Sequence, residues 1–173
     1  MRNLYLLLLF TGLFFTTSLA QLPSGSTAED WTLTDIDGNT HNLYSYLDQG
    51  YTVYLDFSAT WCAPCWNYHN SGAYENLYEN HGPNGSDEVR VFFIESDLST
   101  GIADLYGNTS STQGDWVQGT PYPIIDLNSP QVSNDYNVNY YPTLYAVCPD
   151  KKLYEMQQVS ESSLDDWITS CSM

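Results

Sequence analysis

Short runs of β-branched and aromatic residues recur along the chain and predict its strands. The first two runs flank the dipeptide Asp37-Gly38, which is typical of a tight hairpin turn. The run at 89–95 is apolar at most positions, which indicates a buried strand. The predicted strands span residues 31–34, 40–43, 51–57, 89–95, 122–127, 142–148 and 152–159.

Between these strands, apolar residues spaced three or four positions apart predict helices. The last helix is amphipathic, because Leu164, Trp167 and Ile168 fall on one of its faces. Strands that alternate with helices indicate an α/β fold, a central sheet with helices on both faces, here with the hairpin as an N-terminal extension. The predicted helices span residues 66–81, 102–106, 130–138 and 162–171.

The first twenty residues have the layout of a secretory signal peptide, with Arg2, an apolar run over 4–15 and small residues up to Ala20. We expect cleavage after Ala20, a flexible lead-in over 21–28 and one domain over 29–173. An uncleaved anchor is the alternative, but the run is short for a spanning helix. The sequence therefore predicts a secreted or periplasmic protein, without stable membrane insertion after cleavage, in a compartment where cysteines can form disulfides.

Charge narrows the range of partners. Without the signal peptide the chain carries three Lys or Arg against 21 Asp or Glu, a formal charge of −18. Nucleic acids and anionic bilayers both require a basic surface, so the sequence argues against either as a partner. A solvated acidic surface is the simplest interpretation of this charge.

Two of the four cysteines, Cys62 and Cys65, are separated by two residues, a spacing shared by metal, haem and redox sites. A structural zinc needs four ligands, and His69 and the distant cysteines are poorly spaced to complete the set. A c-type haem requires His directly after the second cysteine, where this chain has Trp66. We therefore expect neither a metal nor another cofactor.

A redox role is favoured by the position of the pair between a predicted strand and a helix. Unpaired N–H groups at a helix start stabilise a thiolate, which makes Cys62 the predicted nucleophile. Pro64 suits the first helical turn, and Cys65, further into the helix, is the predicted resolving thiol. Asp56, in an otherwise apolar strand, is expected to be buried with a raised pKa and to accept a proton from Cys65.

The segment YLDFSATWCAPC, residues 54–65, resembles the active-site strand and turn of the thioredoxin superfamily. Residues 31–57 and 122–155 resemble its secreted and periplasmic redoxins, the thiol–disulfide interchange proteins. The resemblance covers the chain from Trp31 to Cys171 and implies a thioredoxin-like fold with a mixed central sheet. It also implies a thiol–disulfide oxidoreductase that acts on protein thiols and disulfides, with a membrane thiol reductase as electron donor.

Further roles come from the same resemblance. Pro142, preceding Thr143, occupies the place of the family's cis proline, which presents backbone to the substrate. Trp61 and Pro64 match the motif around the cysteines, and Tyr141 is large for the position before the cis proline. Trp66 stands where many thioredoxins have a basic residue. These side chains are expected to tune the reduction potential and the fit of substrates.

Two alternatives to a disulfide reductase stay open from the sequence. One is a disulfide-forming oxidase, although the intervening residues Ala63 and Pro64 carry no group that would stabilise a thiolate. The other is a redox-inert secreted binding module, in which Cys62 and Cys65 form a permanent staple.

The remaining cysteines are expected to form a structural disulfide. Cys148 ends a predicted strand and Cys171 ends the last helix, so a bond between them would fasten that helix to the sheet. The rival interpretation is a second redox pair that relays electrons to Cys62.

Overall fold

The computed structural model describes residues 21–171. The predicted signal peptide, residues 1–20, lies outside the described residues. Over 21–171 no helix has the length and apolar character needed to cross a membrane.

Two sheets form the framework. The hairpin is a two-stranded antiparallel sheet, as predicted, and the second sheet has five strands in the order β5-β4-β3-β6-β7. Strands β3, β4 and β5 are parallel, whereas β6 is antiparallel to β3 and β7 to β6, so the predicted mixed sheet is confirmed. The strands are β1 (Thr32–Thr34), β2 (Thr40–Asn42), β3 (Thr52–Ser58), β4 (Val89–Glu95), β5 (Ile124–Asp126), β6 (Thr143–Val147) and β7 (Leu153–Met156).

Three of the four predicted helices are observed close to their predicted positions, and the structure differs from the sequence in two places. The predicted helix over 66–81 is two helices, because Gly72 adopts a left-handed conformation with φ of 74° between them. A short helix after β2 was not predicted, and the Asn42 side chain caps it by accepting the Ser45 N–H at 2.8 Å. The helices are α1 (Leu43–Leu47), α2 (Ala63–His69), α3 (Ala73–His81), α4 (Ile102–Leu105), α5 (Gln131–Asp135) and α6 (Glu161–Cys171).

The five-stranded sheet has an apolar cluster on each face. Tyr54 of β3 faces the cluster formed with α2, α3 and α6, which also contains Cys62 and Cys65. Its neighbours Val53 and Leu55 face the opposite cluster, formed with α1 and the segment around Trp31. Alternation along the strand therefore decides which side chains of β3 can reach the cysteines.

Residues 21–28 are not a free lead-in. Gly25 N–H donates to the Leu153 carbonyl at 2.8 Å, and Leu153 N–H donates to the Ser26 carbonyl at 3.0 Å. The segment thereby covers the edge strand β7, whose backbone groups would otherwise be unpaired. The expectation of flexibility rested on small polar residues, which say little about pairing with a distant strand.

Candidate active site

The Cys62–Cys65 pair lies where β3 passes into α2 and forms a disulfide with a Cα–Cα distance of 5.3 Å. Cys62 is the N-cap of α2, and its sulfur accepts the backbone N–H of Cys65 at 3.2 Å. Pro64 lies in the first turn, where a missing N–H costs nothing. Both cysteines are buried in this oxidised state, and the helix start favours a thiolate at Cys62 once the disulfide is reduced.

Asp56 lies on β3 with its side chain directed to the same face as the cysteines, since it is two residues from Tyr54. Its carboxyl group is buried, and this burial raises its pKa to about 7. The Ser58 hydroxyl donates to Asp56 Oδ1 and opposes part of this rise. The predicted burial of Asp56 is therefore observed, and the group can gain or lose a proton near neutral pH.

Pro142 lies in the loop before β6, and the Tyr141–Pro142 peptide bond is cis. The ring of Tyr141 and that of the half-exposed Trp61 pack in a T-shaped arrangement, with ring centroids 6.0 Å apart. A groove of about 380 Å³ opens here, lined by residues that include Pro64, Tyr140, Tyr141 and Pro142. The structure thus brings residues far apart in sequence to one groove next to the disulfide.

The turn before Cys62 is held by groups that the sequence did not single out. Gln113 N–H donates to the Thr60 carbonyl at 2.9 Å, and Gln113 Nε2 donates to the Trp61 carbonyl at 2.8 Å. Asp97 accepts the Trp61 indole N–H at 2.6 Å. No local pattern marks Gln113, because it reaches this turn only through the long loop between β4 and β5.

His69 is the histidine that the sequence makes a poor candidate for a fourth zinc ligand. It is buried, which lowers its pKa to about 4, so the ring is neutral at pH 7. The ring stacks on Trp66 with centroids 5.6 Å apart. Within residues 21–171, no three His, Cys, Asp or Glu side chains are grouped so that they could hold a metal ion.

Cys148 and Cys171 form a second disulfide, with a Cα–Cα distance of 5.0 Å. Cys148 follows Val147, which pairs with Val53 near the start of β3, whereas Cys62 follows the other end of that strand. The five steps along the strand from Val53 to Ser58 span roughly 16 Å, so the two disulfides lie at opposite ends of the sheet.

Relatives of this chain with known names are thiol–disulfide oxidoreductases. The thiol-disulfide oxidoreductase ResA of Geobacillus kaustophilus is 32% identical over 155 residues, covering 85% of this chain and 79% of the relative. ResA of Geobacillus thermodenitrificans is 31% identical over 161 residues, covering 88% of this chain and 83% of the relative. No protein-family model matches the chain.

A solved structure has the same fold. The thioredoxin domain of a thiol-disulfide oxidoreductase from Bacteroides vulgatus superposes with a TM-score of 0.65 at 17% identity, covering 85% of this chain and 99% of that domain. The identity to the ResA proteins and their coverage are high enough to assign the family as well as the fold. The chain belongs to the ResA-like thiol–disulfide oxidoreductases of the thioredoxin superfamily.

Proposed function

We propose that the protein reduces or exchanges disulfides of protein substrates outside the cytoplasm, with Cys62 as the attacking thiolate and Cys65 as the resolving thiol. The observation that carries this proposal is the Cys62–Cys65 disulfide at the start of α2, with a groove on one side and Asp56 on the sheet face below. Substrate backbone would lie in the groove against Pro142.

In the first step, the Cys62 thiolate of the reduced protein attacks one sulfur of a substrate disulfide. A bond forms between Cys62 and that sulfur, and the other substrate sulfur leaves as a thiolate, which takes a proton from water. The N-cap position of Cys62 supports this role, because the N–H groups of the first turn of α2 stabilise negative charge there.

In the second step, the Cys65 thiol gives its proton to the Asp56 carboxylate and attacks the Cys62 sulfur. The mixed disulfide breaks, the second substrate sulfur leaves as a thiolate, and Cys62 and Cys65 are joined. Two electrons have then passed from the protein to the substrate. A carboxyl group with a pKa of about 7 can both accept this proton and return it to solvent at neutral pH.

Catalysed reduction of insulin by dithiothreitol tests the activity. The wild-type protein should accelerate the reduction, whereas Cys62→Ser should give the uncatalysed rate. A matched control is Ser163→Ala on α6, which should behave as wild type because Ser163 is not among the residues that line the groove. A wild-type protein without catalysis would favour a redox-inert binding module.

Trapping of intermediates tests the roles of the two cysteines. Cys65→Ser should accumulate mixed disulfides with substrate proteins, because the attack that releases them is removed. Cys62→Ser should accumulate none, since its remaining thiol, Cys65, lies inside α2 and lacks the N-cap position that stabilises a thiolate. Equal trapping by the two variants would refute the assignment.

The predicted signal peptide supports the proposed extracytoplasmic location. For a reductase in that location, the proposed electron donor is a membrane thiol reductase. N-terminal sequencing of the protein recovered from outside the cytoplasm should begin at Gln21. Recovery of the intact chain in the membrane fraction would instead favour an uncleaved anchor.

A further inference from the structure

Glu95 is a second buried carboxyl group beside the Cys62 turn, and the exchange mechanism makes no use of it. It is the last residue of β4, is fully buried, and pairs with Ser58 at the end of β3. Phe93, two residues earlier on β4, belongs to the cluster that contains both cysteines. Glu95 therefore points to the same face of the sheet as Asp56 and Ser58.

The Glu95 carboxylate accepts three hydrogen bonds from uncharged donors. The backbone N–H of Thr60 donates to Oε2 at 2.7 Å. The backbone N–H of Asp97 and the hydroxyl of Thr100 donate to Oε1 at 3.0 and 2.9 Å. Two of the three partners are backbone N–H groups, which can only donate, and a carboxylate is purely an acceptor, so the ionised side chain fits this site.

These bonds connect Glu95 to Cys62 by two routes. Thr60 is two residues before Cys62, in the turn that ends with the Cys62 N–H donating to the Ala59 carbonyl at 2.9 Å. Asp97, the second partner, accepts the indole N–H of Trp61, the residue directly before Cys62. Glu95 thus fixes both the backbone and the side chain that precede the nucleophile.

We propose that Glu95 is a positioning residue for disulfide exchange, whose ionised carboxylate holds Thr60 and Asp97, and through Asp97 the Trp61 side chain, in the geometry that presents Cys62. The inference rests on the proposed attack by Cys62. It adds a proton-dependent control of this turn that is separate from proton acceptance by Asp56.

Protonation of Glu95 would weaken this arrangement, because each carboxyl oxygen accepts a backbone N–H, which can only donate, so a proton on either oxygen disturbs one of these bonds. Burial raises the pKa of Glu95 to about 7, while its three hydrogen bonds oppose the rise. The charged and titratable groups facing it are Asp97 in the following loop, Asp126 on β5 and Tyr141 in the cis-proline loop, with Asp56 further along the same sheet face. These neighbours are acidic or phenolic. A cation would stabilise the ionised Glu95 carboxylate and oppose its protonation, whereas these groups do not.

The test measures the rate at which insulin oxidises the reduced protein after all other reductant has been removed. The reaction is run at about pH 6 and about pH 8 and quenched with acid, and the remaining thiols are alkylated and counted. Glu95→Gln keeps the shape but replaces one acceptor with a donor, and it should lower the rate roughly tenfold at the higher pH. At the lower pH, where wild-type Glu95 is largely protonated, the two proteins should differ less than about twofold. Asp126→Asn is the matched control, since it removes a neighbouring carboxylate that makes none of the three bonds to Glu95, and it should stay within about twofold of wild type.

A folded Glu95→Gln variant with wild-type rates at both pH values would overturn the proposal, and so would an equal loss in Asp126→Asn. If Glu95→Gln does not fold, two further measurements decide. Asp97→Ala should lower the rate by releasing Trp61, and the Thr60 and Asp97 amide resonances of the wild-type protein should titrate together near pH 7. Wild-type rates in Asp97→Ala, with no such titration, would refute the role. Failure of the proposed function looks different, because the wild-type protein would itself not react with insulin.

Discussion

At the scale of single residues, the chemistry of this site depends on what surrounds two buried carboxyl groups. Asp56 and Glu95 lie on one face of the sheet with pKa values raised by burial to about 7. Burial lowers the pKa of His69 to about 4, so its ring stays neutral at a pH where many surface histidines are partly protonated. Proton transfer near neutral pH is therefore available from carboxyl groups at this site.

Asp56→Asn should stabilise the oxidised protein at about pH 8 and have little effect at about pH 4. A carboxyl group whose pKa rises from about 3.8 to about 7 on folding binds its proton more tightly when folded, so its contribution to the unfolding free energy is lost as pH rises through 7. The gain at the higher pH should be on the order of 3 kcal/mol. Urea unfolding at the two pH values measures it, with Asp166→Asn, exposed on α6, as a control that should change stability little.

The residues between the cysteines predict the direction of electron flow. Ala63 and Pro64 can neither carry a charge nor donate a side-chain hydrogen bond, so the Cys62 thiolate is stabilised mainly by the start of α2. We expect a reduction potential below roughly −200 mV, measured by equilibration with glutathione. A value near the roughly −120 mV of a strong oxidase would identify the protein as a disulfide-forming catalyst instead.

At the scale of elements, β3 separates the two disulfides and gives them different surroundings. Cys62 and Cys65 lie at its carboxyl end, beside the groove, whereas the Cys148–Cys171 bond joins the far end of β6 to the end of α6. Thiol exchange requires contact between sulfurs, which the length of the strand prevents within a rigid domain. This placement supports a structural role for Cys148–Cys171 over an electron relay.

The double variant Cys148→Ser with Cys171→Ser should melt at a lower temperature and keep the wild-type rate of insulin reduction. The bond closes a loop with a sequence separation of 23, worth about 3 kcal/mol in the chain-entropy model. Thermal unfolding and the insulin assay, run on the same samples, measure both properties. Lost turnover at unchanged stability would support the relay.

At the scale of the whole molecule, charge is distributed unevenly between the two ends of the sheet. The basic residues of the described chain all lie at the end away from the Cys62–Cys65 disulfide: Arg90 is the second residue of β4, opposite Val53, and Lys151 and Lys152 lie in the turn between β6 and β7. Near the groove, Asp97 bonds Trp61 and Glu155 accepts the hydroxyl of Tyr140. The end of the sheet next to Cys62 and Cys65 therefore presents negative charge to an approaching molecule.

Disulfide substrates with basic flanking residues should react faster than acidic ones. With two model peptides that differ only in Lys or Glu beside the disulfide, we expect roughly a tenfold advantage for the basic peptide at low salt. The advantage should shrink at about 0.5 M salt, because screening shortens the range of the field. Rates that are equal at low salt, or faster for the acidic peptide, would contradict electrostatic steering.

The sequence predicted those features that depend on interactions between residues close together along the chain. Strand composition, the Asp37-Gly38 turn and the cysteine spacing act over a few neighbours, and the corresponding elements are where the sequence placed them. The break between α2 and α3 had a local signal that the helical spacing obscured. Ser71 donates to the Tyr68 carbonyl and accepts the Ala73 N–H, and Gly72 supplies the left-handed residue that the turn requires.

The sequence by itself determined the fold class, the cysteine pair and its position at a helix start, because periodicity and capping are local properties of a chain. Only the tertiary structure decided that residues 21–28 cover β7 and that Gln113 and Glu95 hold the turn before Cys62. Each of these contacts joins groups separated by more than thirty residues. Such pairings depend on strand order and loop path, and on burial that shifts the pKa of a carboxyl group only once the chain has folded around it.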